Sequence, residues 1–191
     1  MTKGKLTAVY GPMFSGKTTY LIEQFDKGSS AVVFKPDLDE RYAKNPAVVS
    51  HNQAMIPAVL VNHLKPEEMK GLVADFKVVM IDEVNFFHES LIETVKKFLE
   101  EGRDVYVSGL FLDSERNIWG PMTTLIEMAD EKVAMSANCD GDHGRCKSPA
   151  VLSYRKTPKV EQVRVAGADE YGAACELHYE VLHHRPKGNK K

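Results

Sequence analysis

Gly11-Pro12-Met13-Phe14-Ser15-Gly16-Lys17-Thr18 fits the pattern G-x-x-x-x-G-K-[ST], and its reading decides the fold. The glycines let the backbone curl so that several N–H groups face one phosphate. Lys17 brings positive charge to the β- and γ-phosphates, and Thr18 offers a hydroxyl to Mg²⁺. The surroundings agree. Residues 6–10 are apolar and end at a glycine, as a buried strand does. Residues 18–27 read as a helix whose positive dipole end faces the same anion.

Outward from this loop, apolar runs alternate with helical patterns. Residues 31–34 read as a strand closed by Lys35-Pro36, and 37–52 as a polar loop carrying Pro46. Residues 55–61 read as a strand, with Pro57 pointing to a sheet edge. Pro66 followed by acids predicts a helix over 66–73. Strands are expected at 76–81 and 105–108. Leu91, Ile92, Val95, Phe98 and Leu99 form a helical stripe within 90–101, and 122–129 is a further helix. Such alternation implies a parallel sheet covered by helices on both faces.

After Ala137 the composition turns to Gly, Asp, Cys and Pro, with short β-like runs at 150–154 and 160–165. The expected fold is therefore α/β: a P-loop parallel sheet flanked by helices, followed by a small C-terminal lobe, which the family resemblance below implies is zinc-binding. The expected division is an ATP-binding domain over 1–136, a lobe over 137–185 and a basic tail over 186–191.

The chain of 191 residues is 43% hydrophobic, enough for a sizeable core, and its net charge of -2 argues against the basic face of a nucleic-acid binder. No apolar run approaches the ~20 residues that span a bilayer. Residues 1–5 lead into a strand-like segment and not into an apolar leader. A membrane partner is not expected, and a cytoplasmic location is. Three cysteines, an odd count, fit thiols or metal ligands better than a disulfide framework.

Asp82 and Glu83 follow the apolar run 76–81, which places them at the carboxyl end of a buried strand, where ligands gather in open α/β sheets. One carboxylate there can serve Mg²⁺ opposite Thr18. On an extended chain the two would point to opposite sides, one to the metal and one to the acceptor. The bland alternative is that both end a strand in solvent.

Several stretches resemble the small, zinc-containing thymidine kinase family. The loop 11–18 matches its P-loop residue for residue. Asp82-Glu83-Val84-Asn85-Phe86-Phe87 is similar to its Asp-Glu-x-Gln-Phe-Phe segment, and Asp39-Glu40-Arg41-Tyr42 to its Asp-x-Arg-Tyr segment. Gly167-Ala168-Asp169-Glu170-Tyr171 with Cys175-Glu176-Leu177-His178 resembles its nucleoside-binding loop and closing zinc knuckle.

The resemblance implies transfer of the ATP γ-phosphoryl group to the 5′-hydroxyl of thymidine, and of deoxyuridine, in deoxynucleotide salvage for DNA synthesis. It implies Glu83 as general base and Mg²⁺ on Thr18 and Asp82. It also implies Arg41 at the phosphates and Phe86 on the pyrimidine. Met13, Leu110 and Tyr171 would wall the base pocket, with Val163, Arg164, Val165, Ala166 and Gly167 reading the base edge through backbone groups. Arg116 and Arg155 occupy matching basic positions. Phe86 and Phe87 also read as plain core, and Tyr171 as a packing aromatic. The family suggests a homotetramer and admits dTTP as a feedback inhibitor. Asn85 for Gln, Ser114 for an aromatic and Trp119 for Phe depart from its pattern near the pocket, as does the neighbourhood of Phe111.

For a metal, Cys175 and His178 have knuckle spacing, whereas six residues separate Cys139 from Cys146. The family has two there, so 140–145 reads as an enlarged loop. Cys146 keeps the family offsets to Ala150 and Arg155, and His143 is its rival. A Cys₃His set of Cys139, Cys146, Cys175 and His178 suits structural zinc. With the P-loop in the other lobe, metal loss is expected to weaken nucleoside binding more than ATP binding. Two other classes fit less well: an ATPase that handles nucleic acid, and a non-enzymatic zinc module with a vestigial P-loop.

Overall fold

The computed structural model describes residues 2–25, 30–38, 47–49, 55–156 and 169–183. Its centre is a six-stranded sheet. The strands are β1 (Leu6–Tyr10), β2 (Ala31–Pro36), β5 (Val59–Val61), β6 (Val78–Ile81), β7 (Asp104–Gly109) and β8 (Glu131–Ala134). Their order is β5-β2-β6-β7-β1-β8, and every pairing is parallel.

Alternating side chains give the sheet two buried faces. Val79, Ile81, Val105 and Val107 lie on one face. They are covered by α2 (Leu91–Glu100), α3 (Met122–Met128) and a 3₁₀ helix at Pro66–Leu72. Helix α2 buries Leu91, Thr94, Val95, Phe98 and Leu99, the i, i+3, i+4 stripe of an amphipathic helix. Val78 and Met80 lie on the other face with Ile22 of α1 (Lys17–Phe25). There they also meet a small antiparallel pair, β3 (Ala47–Val49) and β4 (Met55–Pro57).

The sequence expectation of a loop over 37–52 is thus corrected: it contains β3, which closes on β4 and buries Val48. The run 55–61 is two strands, β4 outside the main sheet and β5 at its edge. The segment 66–72 is 3₁₀ and not α; it is seven residues long, uncapped at Lys65 and holds Gly71, conditions in which the tighter helix serves as a connector. Strand β8 escaped the reading because Glu131 and Lys132 break its apolar pattern.

Beyond Ala137 the elements are short. They are β9 (Ala137–Asn138) with β10 (Pro149–Ala150), β11 (Leu152–Arg155) with β12 (Tyr171–Ala174), and α4 (Glu176–His183). They enclose their own core, which includes Cys139, Leu152, Tyr154, Cys175 and Tyr179. The runs expected at 160–165 and in the tail 186–191 lie outside the described residues. No helix among the described residues is long and apolar enough to cross a membrane.

Candidate active site

Strand β1 delivers the chain into the 11–18 loop, and α1 begins at Lys17. Phe14 and Gly16 have φ of 64° and 86°, a conformation costly for phenylalanine. The Lys17 ammonium turns back onto the loop, donating to the carbonyls of Pro12 (2.6 Å) and Gly11 (3.0 Å). Desolvation lowers its pKa to about 8, against the opposing pull of Asp82 and Glu83. The loop also reaches the lobe. The Met13 amide donates to Ser153 Oγ at 2.9 Å, and Phe14 packs against the lobe core. The P-loop belongs to the sheet unit, as expected from its sequence, and touches the lobe directly.

Asp82, 3% exposed, follows β6. It accepts hydrogen bonds from Thr18 Oγ1 at 3.3 Å, from its neighbour's amide at 3.0 Å and from the Ser108 hydroxyl. Thr18 and Asp82 thus offer two hard oxygen donors at one point, a set that suits Mg²⁺.

Glu83 is not extended. Its φ of 56° and ψ of 41° are left-handed, so the chain turns there into a 3₁₀ segment at Val84–Phe86. The two acids still diverge, but through this turn and not through a strand pleat. Glu83 lies 3.4 Å from the Lys35 ammonium, at the end of neighbouring β2. Sequence reasoning missed Lys35, Ser108 and Ser153. For the first two the signal was present: each is a polar residue closing an apolar strand that flanks the one bearing Asp82.

Phe86 is half-buried and meets Trp119 edge-on, with ring centroids 4.8 Å apart. Phe87 is core, 3% exposed. The structure brings Leu110 beside this turn, its amide donating to Asn85 Oδ1 at 3.0 Å. Tyr171 lies on β12 beneath Arg155, whose guanidinium is 5.5 Å from its ring. Arg155 pairs with Glu170, and Arg116 with Glu176 and Glu180 of α4. Arg41 and Val163, Arg164, Val165, Ala166 and Gly167 lie outside the described residues.

In the lobe, the ligand atoms of Cys139, Cys146, Cys175 and His178 all lie within 4.8 Å of one another. His178 Nδ1 is 3.3 Å from Cys175 Sγ and 3.6 Å from Cys139 Sγ. A tetrahedral zinc ion with Zn–S about 2.3 Å and Zn–N about 2.0 Å sets its donors roughly 3.5–3.8 Å apart, so the cluster fits. The amides of Gly141 and Cys175 each donate to Cys139 Sγ at 3.3 Å. Burial pushes the Cys139 thiol up, while the Ser148 amide lowers Cys146 to about 7. A Cβ at Gly141 would stand 2.2 Å from the His178 ring, so only glycine fits. His143 is exposed in a 3₁₀ turn and outside the cluster. The four residues could hold one zinc ion.

A family model described as thymidine kinase matches residues 4–179. The chain belongs to the thymidine kinase family. It is 31% identical over 176 residues to the thymidine kinase of Pseudothermotoga lettingae, covering 90% of this chain and 92% of that one. It is 33% identical over 184 residues to that of Coprothermobacter proteolyticus, covering 93% and 91%. With the Porphyromonas gingivalis thymidine kinase it shares 31% over 189 residues, covering 97% and 89%. The chain is accordingly an enzyme, a thymidine kinase by family.

Proposed function

We propose that this thymidine kinase transfers the γ-phosphoryl group of ATP to the 5′-hydroxyl of thymidine, and of deoxyuridine. The observation that carries this reading is the meeting of Thr18, Asp82 and Glu83 at the carboxyl end of the sheet. Asp82 is tied to the P-loop helix at 3.3 Å, and Glu83 lies 3.4 Å from Lys35.

Residues 11–18 cradle the phosphates. Lys17 exchanges its loop carbonyls for the β- and γ-phosphate oxygens, which restores charge that burial depletes. Thr18 and Asp82 would hold Mg²⁺, which when bound supplies neutralisation of the phosphate charge. Glu83 takes the 5′-hydroxyl proton, within hydrogen-bond reach of it, and Lys35 holds the carboxylate in place. Phe86 faces the pyrimidine, with Met13, Leu110 and Tyr171 as walls and 163–167 at the base edge; Arg41 serves the phosphates. Transfer itself rests on positioning and charge stabilisation.

Zinc on Cys139, Cys146, Cys175 and His178 is structural, since four protein ligands leave no open position. The division into 1–136 and 137–185, a homotetramer in the cytoplasm and feedback by dTTP complete the proposal on family likeness. A nucleoside panel with ATP and Mg²⁺ tests it: thymidine and deoxyuridine monophosphates are the expected products. ATP hydrolysis with no nucleoside product would overturn it.

A further inference from the structure

Residues 110–119 leave β7 and return to α3 as one hairpin. Leu112 bridges Ile118, the Trp119 amide donates to the Phe111 carbonyl at 3.2 Å, and Asp113 Oδ1 accepts the Glu115 and Asn117 amides at 2.8 Å each across the tip. This hairpin is fixed at both ends, by different parts of the fold. At its base, Asn85 Oδ1 accepts the Leu110 amide. The two flanking glycines are pressed on the same residue. A Cβ at Gly109 would stand 2.9 Å from Asn85 Oδ1, and one at Gly120 would stand 2.4 Å from the Asn85 carbonyl. Asn85 Nδ2 is buried with no acceptor among the described residues. That arrangement carries a penalty, so the carboxamide repays its place through Oδ1.

At its tip, the hairpin is held by α4 of the lobe. The buried Tyr179 hydroxyl donates to the Ser114 carbonyl at 2.7 Å. Arg116 lies over the Tyr179 ring and pairs with Glu176 at 2.8 Å, and His183 stacks on the same ring and reaches Glu115 at 3.1 Å. Adjacent hairpin residues divide between the two cores: Phe111 packs on the main core and Leu112 on the lobe core.

We propose that this hairpin is a strut through which the lobe positions the Glu83–Phe86 turn, with Tyr179 and Asn85 as its two positioning residues. Neither touches reacting atoms. Tyr179 is next in sequence to His178, so a metal that fixes His178 fixes the far end of the strut. Asn85 lies two residues from Glu83 and precedes Phe86, so the near end sets the turn that carries the acceptor side of the reaction. The consequence for the reaction rests on the reading of Glu83 and Phe86 given above.

The protein carries a built-in probe, because Trp119 is the only tryptophan and sits on Phe86 within the strut. The test is Tyr179→Phe, which removes one hydroxyl and keeps the ring, with Asn85→Ala as its counterpart at the base. Trp119 emission, zinc content and steady-state kinetics are measured on the zinc-loaded full chain. Expected are a red shift of Trp119 emission in both variants, unchanged zinc content, and a thymidine KM raised roughly 2- to 10-fold, the worth of one hydrogen bond. The ATP KM should stay constant. Chelation of the wild-type protein should shift Trp119 in the same direction.

Unchanged emission in both variants overturns the strut. Shifted emission with an unchanged thymidine KM overturns its positioning role. A raised KM without an emission shift also overturns it, since the effect then bypasses the hairpin. The emission needs no turnover, so it separates failure of the strut from failure of the assignment of Glu83, which Glu83→Gln kinetics address.

Discussion

Lys35 and Glu83 form an ion pair of 3.4 Å across the carboxyl ends of two neighbouring parallel strands, the lysine side chain 9% exposed and the glutamate 37%. An ammonium this deeply placed needs its partner. The left-handed backbone of Glu83 is strain of the kind that gathers at working residues. The turn and the lysine together aim one carboxylate while Asp82 is held by Thr18 and Ser108.

Glu83→Gln keeps the shape and removes the proposed proton acceptor. The expected loss in kcat is roughly 10²- to 10⁴-fold, the usual worth of a general base, with nucleotide binding retained. Stopped assays of thymidine monophosphate and nucleotide titrations check this. If Asp82→Asn stops transfer and Glu83→Gln does not, the two roles are exchanged.

Lys17 gives a pH signature. In the ligand-free chain its pKa is about 8, against 10.5 for the ordinary ammonium, because burial disfavours the charge. Between these values the unfolded chain binds more protons than the folded one. This group alone therefore makes stability rise with pH from about 8 to about 10.5. Nucleotide binding behaves oppositely, since phosphate favours the charged form. Nucleotide affinity is expected to fall as pH rises through 8, with proton uptake on binding near that pH. Calorimetry in two buffers of different ionisation heat measures the uptake. Lys17→Arg, which stays charged, should abolish it, and Lys17→Ala should abolish transfer.

The metal cluster predicts about one zinc per chain, because four donors make one site. Cys146→Ser should lower zinc content, and His143→Ala should leave it unchanged. Elemental analysis of the purified variants decides between them. The reverse pattern would place His143 in the ligand set.

The sheet and the phosphate loop were legible because their signals are local. A strand buried on both faces is a run of apolar residues, and the P-loop is eight consecutive positions. Asp82 was readable from its strand, and the place of Cys146 in the Cys/His cluster from the family offsets to Ala150 and Arg155. What was not legible depends on long-range pairing. Strand β8 carries Glu131 and Lys132 and owes its place to β1. Strand β12, Tyr171-Gly172-Ala173-Ala174, has little β propensity and forms because β11 lies beside it. Lys35, Ser108 and Ser153 are common residue types whose importance arises only when other strands bring them to Glu83, Asp82 and Met13.

That last contact alters what zinc removal should do. Ser153 lies on β11, which pairs with β12, and β12 leads directly into Cys175. Its hydroxyl accepts the Met13 amide, while the neighbouring Phe14 is packed on the lobe core. Structural zinc contributes folding energy to the segments it joins, so losing it should loosen β12, then β11, and with them the support of the phosphate loop. Chelation is therefore expected to weaken nucleotide binding as well as nucleoside binding. Ser153→Ala isolates the link while leaving the metal in place. Losing one such hydrogen bond costs about 0.5–1.5 kcal/mol, so nucleotide Kd should rise roughly 2- to 10-fold with zinc content unchanged. Titration of a non-hydrolysable ATP analogue into zinc-loaded, chelated and Ser153→Ala protein measures all three. An unchanged nucleotide Kd after chelation, alongside lost nucleoside binding, would show that the lobe serves the nucleoside alone.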